Sequence, residues 1–184
     1  MKKIIVCGLV MTLVLTISLG CSRSSVSKDT GAKSEQTSES QQSKTSNQSS
    51  TPLKAKVMVT APTGWEKIDS PALAQYGKGA ASFIVSADVV PLSVNNDSDE
   101  YVKFTRKIFE KTFKDASFSE PQKITIDGIE GREFTLTTLD KMKLRIIYLL
   151  KDGMAYTITC GATEKDYDLL LKEYNIFIES FKIT

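Results

Sequence analysis

Three cysteines, a scatter of carboxylates and no histidine set the chemistry open to this 184-residue sequence. Without histidine, the usual general base, proton shuttle and metal ligand are all missing. Cys7 lies in an apolar leader, Cys21 closes that leader, and Cys160 sits in an alternating strand-like run. Cys160 reads as a small buried hydrophobe, because nothing beside it would activate a thiolate. Acid–base work would fall to carboxylates such as Asp88, Asp127 and Glu130, which the sequence does not pair. Asn95, Asp97 and Asp99 have the first spacings of a calcium loop, but Glu100 stands where its glycine belongs and Arg106 where its glutamate belongs. Asp97 with Glu100 reads instead as a helix N-cap. Gly77-Lys78-Gly79 lacks the upstream glycine and the following Ser or Thr of a phosphate loop, and reads as a turn. No metal or cofactor is expected. The 24 basic and 22 acidic residues leave a net charge of +2, which excludes a nucleic-acid binder of the basic-patch kind.

Cys21 is the residue whose context is most specific. Lys2 and Lys3 precede a nearly continuous apolar run from Ile4 to Leu19, and Gly20-Cys21 ends it. The run is short for a membrane span and has the layout of a secretory leader. Ser18-Leu19-Gly20-Cys21 resembles the lipobox of bacterial lipoproteins, with Ser and Leu in a variant order. That resemblance implies a diacylglyceryl group on the Cys21 sulfur, palmitate-type acylation, and removal of residues 1–20. Two acyl chains anchor firmly, at about 0.8 kcal/mol per buried CH₂. Residues 21–51 are rich in Ser, Thr, Gln and Lys, almost devoid of apolar side chains, and expected to be a disordered tether. About 30 such residues reach roughly 30 Å. Residues 52–184 are expected to form a single folded domain.

Within that domain, Val57–Thr60 starts a first strand, and the turn residues Pro62 and Gly64 lead to Trp65. Glu66–Ile68 reads as a short strand, Asp69–Ala80 as a long loop, and Ala81–Val90 as a strand. A helix is expected over about Ser98–Lys114. Four strands follow: Gln122–Ile126, Ile129–Thr138, Met142–Leu150 and Met154–Gly161. Asp127-Gly128 and Asp152-Gly153 form the hairpin turns. Met142, Leu144, Ile146, Tyr148 and Leu150 share one strand face; Met154, Tyr156, Ile158 and Cys160 share another. Both sets are expected on the core side. Thr163 caps a last helix over about Glu164–Glu179, and an extended tail ends the chain. The class is α+β: a mainly antiparallel sheet of six to seven strands with helices packed on it.

Ala61-Pro62-Thr63-Gly64-Trp65, the crossing Ile126-Asp127-Gly128-Ile129-Glu130-Gly131-Arg132-Glu133-Phe134, and the closing Glu179-Ser180-Phe181 together resemble the PsbP-like superfamily. That superfamily includes DcrB-type bacterial lipoproteins and Mog-type proteins. The resemblance implies an α/β/α sandwich around an antiparallel sheet and a non-enzymatic binding or assembly role. It carries over no metal site.

The expected function is therefore a lipid-anchored, extracytoplasmic bacterial module that binds an envelope protein or a small ligand, without catalysis. The serine-rich spacer favours a Gram-positive cell membrane. The alternative is an envelope hydrolase or transferase working with carboxylates. The expected recognition face lies opposite the core, where alternation displays Thr135, Thr137, Lys143 and Arg145, together with Glu133, Thr157 and Thr159.

Overall fold

The computed structural model describes residues 55–184; the leader, Cys21 and the tether lie outside the described residues. Among the described residues ten strands occur: β1 (Val57–Met58), β2 (Glu66–Lys67), β3 (Ala74–Lys78), β4 (Ala81–Val89), β5 (Ser117–Phe118), β6 (Gln122–Ile126), β7 (Ile129–Thr137), β8 (Met142–Lys151), β9 (Met154–Thr163) and β10 (Lys182–Ile183). Helix α1 spans Ser98–Thr112, α2 Glu164–Tyr167 and α3 Leu171–Ser180. The main sheet has eight strands in the order β2-β3-β4-β9-β8-β7-β5, with β6 also on β7. Its pairings are antiparallel. The fold is thus the expected α+β class, with one strand more in the main sheet than the upper expectation.

The turns explain the register. Asp127 and Gly128 both have positive φ, at 51° and 74°, and so do Asp152 and Gly153, at 52° and 76°. Two consecutive left-handed residues match the twist of a two-residue hairpin, which locks β6 to β7 and β8 to β9. Gly131 is required for another reason: a Cβ there would strike the Tyr148 carbonyl on the paired strand. The Asp97 side chain caps α1, accepting from the Asp99 and Glu100 amides at 2.7 and 3.1 Å. The Thr163 hydroxyl caps α2, accepting from the Asp166 amide.

The sheet carries a buried core on each face, which changes one expectation. Phe83, Val85, Ile147, Leu149, Tyr156, Ile158 and Cys160 pack under α3 with Trp65, Tyr174, Phe177 and Phe181. Phe134, Leu136, Ile146 and Tyr148 pack under α1 with Tyr101 and Val102. The apolar sets of β8 and β9 therefore point to opposite faces: Tyr148 lies across from Thr157, and Leu149 across from Tyr156. Both sets are buried, but in two different cores, because a helix covers each side. A side chain such as Phe177, with no exposure, contributes about 1.5–3 kcal/mol by leaving water.

Other departures are local. Ala74–Lys78, expected within a loop, is a strand paired along all five residues with β4. Its flanking Pro71 and Gly79 masked a short alternation in which Ala74 and Tyr76 point inward. The last helix is not continuous, since a tighter turn at Asp168–Leu170 joins α2 to α3. The extended tail becomes β10, whose Ile183 and Lys182 pair with Val57 and Met58.

Candidate functional site

The register puts Thr135 opposite Arg145 and Thr137 opposite Lys143, so the four expected recognition residues form two cross-strand pairs on one face. That face is the one α3 covers. Lys143 Nζ bonds Asp168 Oδ1 at 3.0 Å and lies 4.6 Å above the Tyr167 ring. Arg145 Nε donates to Glu133 Oε2 at 2.7 Å, and its Nη1 donates to Asn175 Oδ1 at 3.2 Å. Both cations are thus engaged, Lys143 by Asp168 in the turn that leads into α3 and Arg145 by Glu133 on the neighbouring strand and Asn175 on α3. The strip acts as a flank clamp for that helix, and a ligand taken there would have to compete with these bonds.

Thr157 and Thr159 are not part of this strip. Thr157 pairs with Tyr148 and Thr159 with Ile146, residues that pack under α1. Alternation alone placed them with Lys143 and Arg145, because the relative phase of β8 and β9 depends on the hairpin register and not on either strand's pattern. They lie on the opposite face of the sheet.

Each helix is also held by a charged group that the sequence reading did not single out. On the α3 side, Trp65 Nε1 and Lys78 Nζ both donate to Glu173, the lysine at 2.8 Å to each carboxylate oxygen. These bonds hold the Glu173 pKa below the usual carboxylate value. On the α1 side, Arg132 is buried and bonds both Asp99 oxygens, at 2.6 and 2.8 Å, and Glu130 at 3.0 Å. Asp99 and Glu130 are likewise lowered, mainly by those bonds. A signal existed in the sequence: Arg132 shares its strand face with Phe134 and Leu136, an inward position where a charge needs a partner. Lys78 also shows that Gly77-Lys78-Gly79, read as a turn, is a strand end with a structural lysine.

The three carboxylates considered for acid–base work are dispersed among separate partners. Asp127 lies 3.8 Å from Lys182 and accepts from the Ile183 amide at 3.4 Å. Glu130 is held by Arg132 and lies 3.5 Å from Lys123. Asp88 is exposed on β4, across from Ala155. Cys160 is fully buried, and desolvation pushes its thiol up to about 12. A thiol held protonated in this way is not a nucleophile at neutral pH. Among the described residues no group of three or more Cys, Asp or Glu is placed to hold a metal. No helix of the described residues is long and apolar enough to cross a membrane.

No protein-family model and no curated protein matches this sequence. Solved structures do resemble it. LpqN, involved in cell envelope biogenesis of Mycobacterium tuberculosis, superposes with a TM-score of 0.52 at 13% identity, over 74% of this chain and 87% of LpqN. The cyanobacterial PsbP of a Synechocystis species gives 0.48 at 12% identity, over 71% of this chain and 94% of its own. A Pseudomonas aeruginosa protein of unknown function gives 0.47 at 16%, over 66% and 78%. At these identities the likeness is one of fold. The helix-flanked antiparallel sheet is the α+β arrangement it shares with LpqN, and the class that the resemblance to PsbP-like proteins implied.

Proposed function

We propose that this chain is a lipid-anchored extracytoplasmic bacterial protein whose domain binds or assembles with an envelope component and performs no chemistry. The observation that carries the reading is Gly20-Cys21 at the end of an apolar leader with Lys2 and Lys3 at its start. Two acyl chains on Cys21 would hold the protein at the outer face of the cell membrane, in a Gram-positive type of envelope. The tether 21–51 would then let domain 52–184 search the space above the lipid. LpqN's role in envelope biogenesis supports the setting, as a fold neighbour only.

The non-catalytic part is supported by how the charged groups are used. Asp127 and Glu130 are engaged in ion pairs, Cys160 is buried and protonated, and the chain has no histidine. A hydrolase or transferase would need two carboxylates facing one cleft.

Metabolic labelling with palmitate tests the anchor. The wild-type chain should incorporate label and stay with the membrane fraction, and Cys21→Ala should take up none. Equal labelling of both would overturn the anchor. Crosslinking capture from intact cells with the same pair tests the binding role: a component recovered only with the anchored form supports it.

A further inference from the structure

The two faces of the sheet are not covered equally. Helix α1 packs on Phe134, Leu136, Ile146 and Tyr148, all on β7 and β8. The same face continues across β9, β4 and β3, and there Thr157 pairs with Ser86, Thr159 with Ile84, and Ile84 with Gln75. Ile84 is buried, at 8% exposure, and the polar residues around it belong to neither helix-covered core. Ser82, beside Gly161 on β9 and Gly77 on β3, completes the patch. Gly161 adds no side chain to that row, and the Ile68 side chain lies over Gly77. Gln75, Ser82, Ser86, Thr157 and Thr159 are half-buried around Ile84. The patch itself is free of charge in a chain whose residues are 25% charged, and two exposed acids on the same face border it, Asp88 on β4 and Glu66 on β2 opposite Gly77.

Helix α1 forms one edge of this patch. Arg106 leans to the β5 side, bonding the Ser119 carbonyl and covering the Phe118 ring at 5.4 Å. Phe104 and Ile108 fall on the opposite flank of the helix. Phe104 is 39% exposed. An exposed aromatic ring, tilted against Tyr101 at 6.4 Å, thus stands on the helix flank away from β5.

We infer that this face, β3-β4-β9 beside α1, is a binding site for a neutral glycan bearing hydroxyl and amide groups. The inference rests on the binding-module reading and names its surface and ligand class. Chemistry selects the occupant. An anionic polymer or phosphate would want a cation, and the sheet face offers none. An acyl chain would leave five polar side chains without hydrogen-bond partners, at a cost for each. A second copy of the chain needs about 800 Å² per partner, whereas three strands over four residues span on the order of 200 Å². A short run of neutral sugar fits that area. Its hydroxyls and amides can meet Gln75, Ser86, Thr157 and Thr159, while its C–H faces find the exposed Phe104 ring at the α1 edge.

The test is a titration of soluble tri-N-acetylglucosamine into the isotope-labelled full-length chain in detergent micelles, read by amide NMR. Shifts are expected at Ser86, Thr157, Thr159 and Phe104, with weak binding in the range of about 0.1–1 mM. Thr157→Val combined with Thr159→Val keeps the strand-forming shape and should weaken binding about tenfold, a difference of about 1.4 kcal/mol. Absence of shifts, shifts confined to Lys143 and Arg145, or unchanged affinity in the double variant would each overturn the inference. Concentration-dependent shifts of the same amides without sugar would also overturn it, in favour of a second copy. Failure here would leave the palmitate result untouched, so the two readings fall separately.

Discussion

The two faces of the sheet use opposite strategies. Under α3 the face is closed: Phe177 stacks on Phe83 at 4.1 Å and meets Trp65 and Tyr76 edge-on or tilted, and charged residues clamp the helix flanks. Under α1 the closure is partial: β7 and β8 are covered, while β4 and β9 present uncharged hydroxyls. Ion pairs therefore lock both helices, and the rest of the α1 face carries uncharged hydroxyls bordered by the acids Asp88 and Glu66. A basic strip read from strand alternation was the more conspicuous feature, but its cations are committed to holding a helix. A surface able to take a ligand without losing internal bonds is the quieter one.

The sharpest way to break this comparison is to empty the closed face. Phe177→Ala should cost about 3–5 kcal/mol, measured by urea unfolding, because a fully buried ring is lost from a stacked aromatic cluster. Next is Arg145→Glu, which sets a second acid beside Glu133. Both side chains are less than a quarter exposed. A loss of about 2 kcal/mol is expected, through a buried like-charge contact and lost hydrogen bonds. If Arg145 were instead a free recognition residue, stability would barely move.

The pH dependence separates the faces. The Asp99 and Glu173 pKa values are held below their ordinary 3.8 and 4.5 by Arg132 and Lys78 respectively. Each is lower in the folded than in the unfolded chain, so its stabilisation is full above the ordinary value and is lost as pH falls through the folded one. Trp65 bonds Glu173 and should report acid loosening of the closed face by fluorescence. Glu173→Gln should remove that response, and Asp99→Asn should leave it in place. Cys160 should resist thiol reagents at neutral pH until the chain is unfolded, since burial keeps the thiol protonated. The smallest effect belongs to the open face: Thr157→Val with Thr159→Val should change stability by no more than about 0.5 kcal/mol. A larger loss would mean that these threonines are structural.

Much of the architecture was legible because local signals agreed. Asp127-Gly128 and Asp152-Gly153 named their turns, Asp97 and Thr163 named their caps, and the strands from Gln122 onward followed period two. Three things were not legible. Strand β3 is short and bracketed by Pro71 and Gly79, so its pairing with β4 supplies what its own pattern lacks. The phase of β9 against β8 is set by the hairpin, which is why Thr157 and Thr159 were placed on the wrong face. The Trp65–Lys78–Glu173 contact joins residues far apart in the chain, and no local pattern announces it. Arg132 differs from these: its inward position was a local signal of a buried ion pair, although the sequence reading did not single it out.

The most direct measurement is photo-crosslinking in intact cells, with a photoreactive side chain placed at Thr159 in one variant and at Lys143 in another. The comparison of the two faces expects an adduct from Thr159 that a glycan-cleaving enzyme releases, and little or none from Lys143. Adducts from Lys143 alone, or equally from both positions, would contradict the assignment of binding to the open half of the α1 face.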